Sequence, residues 1–182
     1  MNLIEPKPVS TSNSVLNILK QLVRKREYDT LETLFLENIT QNDSEKRLPE
    51  FWECIEYLIR PTIGLTTQAQ EFAQLLAEYL IEHNYNNEAL AHIRKTSTLL
   101  AADRKFKQQI IKLYKILYPG NNLDMFIRLS GLEESTPLNK SISTLDKFLS
   151  LDIGNAVFSS RFGYGEITKI DFLCSIEISF RE

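Results

Sequence analysis

The sequence predicts a mainly α-helical protein that ends in a small antiparallel β module. From about residue 14 to residue 131, apolar residues recur at the spacing of one face of an amphipathic helix. Past Leu151 the apolar period changes to two, which indicates β-strands. Gly163 and Gly165 lie in this last segment, where glycines indicate turns. We therefore expect a bundle of helical hairpins followed by a short sheet.

Polar stretches, prolines and glycines divide the helical region into amphipathic segments. We expect helices over about residues 14–26, 30–39, 49–59, 67–82, 88–100, 103–118 and 122–130. Pro49 suits a first helical turn, because the amide that it lacks would be unpaired there anyway. Thr67 and Gln70 form a capping-box pattern. Gly131 is a typical residue for the end of a helix.

The predicted helices are joined in pairs by short polar turns, which favours antiparallel hairpins packed side by side. Tyr28 and Tyr85 each lie in a turn before a new helix. This placement resembles the turn of TPR-like repeats, although the spacing differs from their period of about 34 residues. The prediction is an irregular, TPR-like helical bundle.

Changes in composition predict four segments. Residues 1–13 contain two prolines and are expected to form a flexible N-terminus. Residues 14–131 form the helical-repeat-like domain. Residues 132–150 are predicted as a polar linker with a short helix near its end. Residues 151–182 form the partial β module.

Composition indicates a globular protein of the cytoplasm. Hydrophobic residues make up 43% and charged residues 25% of the 182 residues, and the formal net charge is −3, so no bulk attraction to nucleic acid or anionic membranes is expected. We find no signal-peptide pattern and no apolar run of about 20 residues. Cys54 and Cys174 do not form a CxxC pair and are interpreted as reduced thiols. These features predict a cytoplasmic protein without a membrane partner.

No motif in the chain indicates catalysis, a metal site or a cofactor. The two histidines, His83 and His92, are nine residues apart, which is not a ligand spacing for one helix face. His83 is expected to cap the end of a helix, and His92 is expected at the surface or half-buried. The sequence has no GxSxG, P-loop or HExxH pattern. We therefore predict a protein that is not an enzyme.

One predicted helix carries a cluster of basic residues. They lie opposite its apolar residues at 100° per residue, and they are Arg104, Lys105, Lys107, Lys112 and Lys115. The favoured interpretation is a solvated outer face, because charge runs usually have that role. The alternative is a contact surface for nucleic acid or an acidic partner.

The predicted β module has its first strand beginning at about residue 157, its second over 166–171 and its third over 175–180. The candidate partner-binding residues of this module are Val157, Phe158, Arg161, Phe162 and Tyr164. The aromatic members have two open interpretations. They fill a core, or they lie beside an unpaired edge to which a strand of a partner is added.

The β segment resembles a known family. The run Gly154-Asn155-Ala156-Val157-Phe158 followed by Arg161-Phe162-Gly163-Tyr164-Gly165-Glu166-Ile167 is similar to the opening of Tudor-like, SH3-type barrels. Such barrels occur in bacterial repair helicases, in a polymerase-binding transcription regulator and in long Gre-type transcript-cleavage factors, after a helical N-terminal region. Asn155 stands where the family pattern has Asp, and Ser159-Ser160 stand where it has His-Pro.

The resemblance implies the N-terminal interaction region of a long Gre-type transcription elongation factor. In the relatives, RNA polymerase pairs with a strand that would correspond here to about residues 157–162. A full barrel needs about five strands, whereas the residues after Leu151 suffice for three, so we expect the chain to be part of a longer protein. The carboxylates with which Gre-type factors hold catalytic Mg²⁺ would then lie outside it. The alternatives are a free-standing helical-repeat adaptor that binds proteins, and nucleic-acid binding through the basic helix.

Overall fold

The computed structural model describes residues 14–41, 43–120, 122–151, 153–171 and 175–180. These residues form eight α-helices, a short 3-10 helix and a three-stranded antiparallel sheet near the C-terminus. The predicted mainly helical fold with a small C-terminal sheet is thus confirmed. The predicted flexible N-terminus, residues 1–13, lies outside the described residues.

The chain divides into two compact units, one up to His83 and one from Asn84 onward. The sequence analysis did not predict this division, because it treated residues 14–131 as one helical domain. Asn84 has a left-handed backbone, with φ of 60°. Asparagine tolerates this conformation better than most residues, so it suits a sharp turn between two helices.

The N-terminal unit contains α1 (Val15–Lys25), α2 (Tyr28–Ile39), the 3-10 helix (Ser44–Arg47), α3 (Leu48–Leu58) and α4 (Thr66–Glu82). Its core is centred on three fully buried rings. Phe35 of α2 stacks on Phe72 of α4 with ring centroids 4.1 Å apart, and it meets the edge of Phe51 of α3 at 5.4 Å. These aromatic contacts join three helices at one point.

A polar network ties α1 to α3 in the same unit. The Val15 backbone amide donates to Glu50 Oε1 at 2.7 Å, so that a carboxylate of α3 lies at the N-terminus of α1. Negative charge is stabilising there, because the first amides of a helix are unpaired. Arg47 donates to the other Glu50 oxygen at 2.9 and 3.0 Å and to Asn38 Oδ1 at 3.2 Å.

The predicted start of α4 is wrong in detail. The helix begins at Thr66, its N-cap is Leu65, and the cap makes no side-chain hydrogen bond. Thr67 and Gln70 therefore lie inside the helix rather than in a capping box. At the other end, the prediction for His83 is confirmed, since it is the C-cap and its Nδ1 lies 2.9 Å from the Tyr79 carbonyl oxygen.

The C-terminal unit contains α5 (Asn86–Thr96), α6 (Arg104–Leu117), α7 (Leu123–Leu129), α8 (Leu138–Ser150) and the sheet. Gly131 follows α7 with φ of 72°, as expected for a helix stop. Helix α8 is longer than the short helix predicted within 132–150. It contributes Leu138, Ile142 and Leu145 to the core, so much of the predicted linker is part of the packed unit.

A network of side-chain hydrogen bonds joins α5, α6 and α8. Arg94 donates to both carboxylate oxygens of Asp146, at 2.6 and 2.9 Å, and to Tyr118 Oη at 3.1 Å. Tyr114 Oη donates to Asp146 Oδ1 at 2.9 Å. Burial, and then the neighbouring Asp146 charge, raise the pKa of Tyr114 well above its ordinary value. Arg94 and Asp146 are 52 positions apart in the chain. No local sequence pattern could have predicted their ion pair.

The sheet has the strand order β1 (Ala156–Ser159), β2 (Gly163–Asp171) and β3 (Ser175–Phe180), each antiparallel to the next. The predicted third strand has the observed bounds, whereas the second begins three residues earlier than expected. The register of β2 with β3 is interrupted by a bulge between Ile167 and Lys169.

Candidate docking surface on the β module

One side-chain hydrogen bond attaches the β module to the end of α8, and two backbone hydrogen bonds within the module lie beside it. Asn155 Nδ2 donates to the Leu149 carbonyl oxygen at 2.7 Å, which satisfies one of the unpaired carbonyls at the end of the helix. Around it, Gly154 N donates to the Ile167 carbonyl, and Ile167 N donates to the Asn155 carbonyl. Because Asp has no side-chain donor when ionised, Asn155 makes a bond that the Asp of the family pattern would lack.

A short polar turn connects β1 to β2. Ser159 Oγ accepts hydrogen bonds from the backbone amides of Arg161 and Phe162, both at 3.3 Å. Gly163 completes the turn with φ of 77°, a conformation that costs a residue with a side chain free energy. Gly163 is therefore a turn glycine, as predicted.

Gly165 is not a turn residue, and its predicted role is wrong. It lies within β2, opposite Val157 on one side and Phe180 on the other, and it is buried. A Cβ at this position would approach an Ile178 methyl carbon to 2.7 Å and the Phe180 ring to 2.8 Å. Gly165 is thus required by the close approach of β3 side chains, which a single sequence does not distinguish from a turn.

Two aromatic side chains form a pair on one face of the hairpin. Phe158 of β1 lies directly opposite Tyr164 of β2, with ring centroids 5.0 Å apart. Such a cross-strand pair stabilises a hairpin modestly. Nevertheless Phe158 remains 66% exposed and Tyr164 72% exposed. Most of this apolar area is in contact with solvent.

The hairpin tip adds a third exposed ring and a positive charge. Phe162 is 55% exposed, and its ring centroid lies 5.3 Å from that of Phe180. The guanidinium of Arg161 lies over the Phe162 ring at 5.0 Å. Val157, in contrast, is half-buried and lies on the opposite face of β1 from Phe158.

The outer edge of β1 has no strand beside it among the described residues. In the order β1-β2-β3, each outer strand pairs with β2 on one side only. Unpaired amides and carbonyls at such an edge are a template for the backbone of another chain. Phe158 belongs to this edge strand and pairs with Tyr164 of β2 on one face, whereas Phe162 contacts Phe180, whose partner Gly165 lies on the other face. We name Phe158, Arg161, Phe162, Tyr164 and the outer edge of β1 the hairpin surface.

The basic residues of α6 do not share one solvent-exposed face. Lys107 is buried, and its ammonium group donates to the carbonyl oxygens of Glu134 and Thr136 at 2.5 and 2.9 Å. The prediction for this residue is wrong, because the loop before α8 covers that side of the helix. Lys115 forms an ion pair with Asp124 at 2.7 Å. The remaining basic residues of the cluster are exposed and form no ion pair with a described residue. They are Arg104, Lys105 and Lys112.

Two residues whose side chains are capable of catalysis or metal binding, His92 and Cys54, are buried in the helical cores. His92 is fully buried, so the prediction of a surface or half-buried side chain is wrong. Its side chain lies beside Thr96 in the core of the C-terminal unit. Burial, followed by the charges of Glu50 and Glu53, raises the pKa of the Cys54 thiol to about 12, so a thiolate is disfavoured at neutral pH. Cys174 lies outside the described residues.

Within the described part of the chain, no three His, Cys, Asp or Glu side chains are grouped as metal ligands would be. An open cleft of about 640 Å³ lies between the start of α6 and the loop before α8. Its polar side chains include Lys107, which is already bonded to backbone carbonyls. The Lys107 ammonium group is therefore already engaged by the backbone at the wall of this cleft.

The sequence analysis missed one group of charged residues that the N-terminal unit exposes. Arg24, Lys25 and Arg26 end α1, and all three are exposed. These three cations are consecutive in the sequence, which is a pattern that could have indicated them. The larger cluster on α6 was the basic group predicted as a possible contact surface.

Comparisons with protein-family models, with curated proteins and with solved structures each found no match to this chain. Among the described residues, no helix is both long enough and apolar enough to cross a membrane.

Proposed function

We propose that this chain is a non-catalytic protein-binding region that docks on its partner through the hairpin surface. The observation that carries the proposal is the exposure of the Phe158–Tyr164 pair on the strand whose outer edge is unpaired among the described residues. Large aromatic side chains dominate the energetics of protein interfaces when a partner buries them. The exposed apolar area of two adjacent rings is also typical of an interaction site.

The geometry favours strand addition as the mode of docking. In this mode, main-chain hydrogen bonds supply affinity and neighbouring side chains supply specificity. Strand β1 offers the backbone edge, and the pair of rings beside it offers apolar contacts on one face. Arg161 at the tip adds a positive charge that favours an acidic group near the docked strand.

RNA polymerase is the partner that we propose, on the basis of the resemblance to the β module of polymerase-binding proteins. The chain would then be the interaction region of a bacterial transcription elongation factor. This part of the proposal depends on residues 154–167, which carry the resemblance. A helical-repeat adaptor with another protein partner is the alternative, and it does not require the hairpin surface.

Binding to purified bacterial core RNA polymerase, measured by biolayer interferometry, tests the proposal. We expect the double variant Phe158→Ser/Tyr164→Ser to lose at least tenfold in affinity, because loss of each interface aromatic commonly costs 1–2 kcal/mol or more. The matched control is Ile116→Ser, which removes a side chain that is 59% exposed on α6. Equal affinities of the double variant, the control and the native chain would contradict the proposal.

Hydrogen exchange in the complex tests the mode of docking. If a partner strand pairs with β1, the amides of Ala156–Ser159 become protected from exchange. The amides at the exposed end of α6 serve as an internal control and should exchange at an unchanged rate. Binding without new protection in β1 would show that the rings, rather than the strand edge, make the interface.

A further inference from the structure

The N-terminal unit carries more acidic than basic residues. From Ser14 to His83 it has seven Lys and Arg residues against twelve Asp and Glu residues. Two of the cations are neutralised locally, since Lys46 pairs with Asp43 and Arg47 pairs with Glu50. The other five form no ion pair with a described residue, and they are Lys20, Arg24, Lys25, Arg26 and Arg60.

Helices α1 and α3 bring these five cations to one end of the unit. The start of α1 contacts the first turn of α3 through Val15 and Glu50. Further along both helices, the Lys20 ammonium lies 5.6 Å from the ring centroid of Tyr57. The two helices therefore run in the same direction and end on the same side of the unit.

The Tyr57 ring, near the end of α3, lies close to two of the five cations. Arg60, just after α3, places its guanidinium 5.6 Å from the same ring centroid that Lys20 approaches. The ring is nearly buried beneath these cations, and cation–π attraction holds them near each other despite their like charge. Arg24 lies one turn beyond Lys20 on the same side of α1.

Arg26 occupies a position that the turn alone would give to glycine. It follows α1 with φ of 61°, and the Glu27 amide donates to the Leu22 carbonyl at 3.0 Å, as in a Schellman motif. This left-handed conformation is unfavourable for a residue with a side chain. The stability of the turn therefore does not account for an exposed arginine here.

Tyr28 is a partly exposed aromatic residue that follows three of these cations in the sequence. It is the first residue of α2, two positions after Arg26, and it is 38% exposed. The favourable field at a helix C-terminus explains cations such as Arg24 and Lys25. It does not explain Tyr28, nor Arg26 in a left-handed conformation.

We propose that this surface binds single-stranded nucleic acid, with phosphates on the five cations and a base stacked on Tyr28. Three of the five cations are arginines, whose planar donors match phosphate oxygens. A positively charged track combined with an aromatic side chain is the arrangement with which proteins hold single strands. An acidic protein segment would use the cations but would gain nothing specific from an exposed ring. The proposal is independent of the hairpin surface and of its partner.

Fluorescence anisotropy with labelled 20-nucleotide oligo(U) and oligo(dT) over a series of salt concentrations tests this inference. The triple variant Arg24→Gln/Lys25→Gln/Arg60→Gln should bind at least tenfold more weakly at about 0.1 M salt. Its log–log salt slope should fall by about two, since each lost phosphate contact on a single strand contributes about 0.7. The matched control, Arg104→Gln/Lys105→Gln/Lys112→Gln, removes the same charge from α6 and should bind like the native chain.

Two single variants separate binding from folding. Arg26→Gly should keep or raise the melting temperature, because glycine suits the left-handed turn, and should still weaken oligonucleotide binding about threefold or more. Tyr28→Leu should weaken binding by a similar factor with an unchanged salt slope. Both results together support the inference.

Several outcomes would overturn it. The first is that the native chain binds neither oligonucleotide. The second is that the α6 control loses as much affinity as the triple variant. The third is that duplex binds as tightly as single strands and Tyr28→Leu has no effect. Preference for an oligo-glutamate peptide over both oligonucleotides would assign the surface to an acidic protein instead.

Discussion

The two ends of this chain use the same kind of side chain in opposite ways. Phe35, Phe51 and Phe72 of the N-terminal unit are fully buried, whereas Phe158 and Tyr164 of the β module are more than half exposed. Four packed helices can surround a ring on all sides. A three-stranded sheet attached to the end of one helix has too few elements to cover both of its faces. Aromatic residues therefore stabilise the first region and remain available to a partner in the second.

The largest effect is expected from Phe35→Ala. This change leaves a cavity where three rings meet, and it should lower the free energy of unfolding by about 3–5 kcal/mol. Urea denaturation followed by circular dichroism at 222 nm measures it. A loss below about 1 kcal/mol would show that the contact between α2, α3 and α4 is not the centre of the core.

Gly165→Ala should be next in size and confined to the sheet. The added methyl group would lie 2.7 Å from Ile178 Cγ2, and overpacking of this kind costs about 1–3 kcal/mol. Faster hydrogen exchange in β2 and β3, with unchanged exchange in α6, is the expected result. Unchanged exchange of the sheet would refute the close approach.

A smaller, pH-dependent effect is expected from Tyr114→Phe. The pKa of Tyr114 is raised in the folded protein, so its contribution to stability is present below the ordinary tyrosine pKa of about 10 and is lost as the pH rises above it. The variant should be about 1 kcal/mol less stable at neutral pH, where the hydrogen bond to Asp146 is lost. The difference from the native chain should shrink between pH 10 and 11.5. A constant difference over this range, measured by urea denaturation, would argue against the raised pKa.

The smallest effect on stability is expected from Phe158→Ala. Its ring is mostly in solvent, so its loss should change the free energy of unfolding by less than about 0.5 kcal/mol. The same denaturation series used for Phe35→Ala measures it. A cost similar to that of Phe35→Ala would mean that the hairpin rings are part of a core, which would remove the basis of the docking proposal.

Much of the fold could be predicted from local patterns. The helices follow from apolar spacing, and the bounds of β3 follow from a strict period of two. The stop at Gly131 follows from the preference of glycine for a left-handed backbone. The predicted mainly helical class is confirmed. Helix starts were less predictable, since α4 begins without the side-chain cap that Thr67 and Gln70 indicated.

The candidate site could be predicted in part. The aromatic residues around Gly163 were recognised, but their exposure could not be, because it depends on how many elements cover each face of the sheet. Lys107 shows the reverse case. Its position on the helix resembles that of Lys112, and a loop nearly 30 residues further along the chain buries the one and not the other.

The sequence by itself determined most of the helical segments, where the chain changes to strands, and the glycines that end α7 and turn the hairpin, Gly131 and Gly163. These properties depend on neighbours within a few residues, through backbone sterics and the spacing of apolar side chains. Only the tertiary structure decided that His92 and Lys107 are buried, that Arg94 and Asp146 pair, and that five cations collect at one end of α1 and α3. Those outcomes depend on contacts between distant parts of the chain, whose geometry no local pattern encodes.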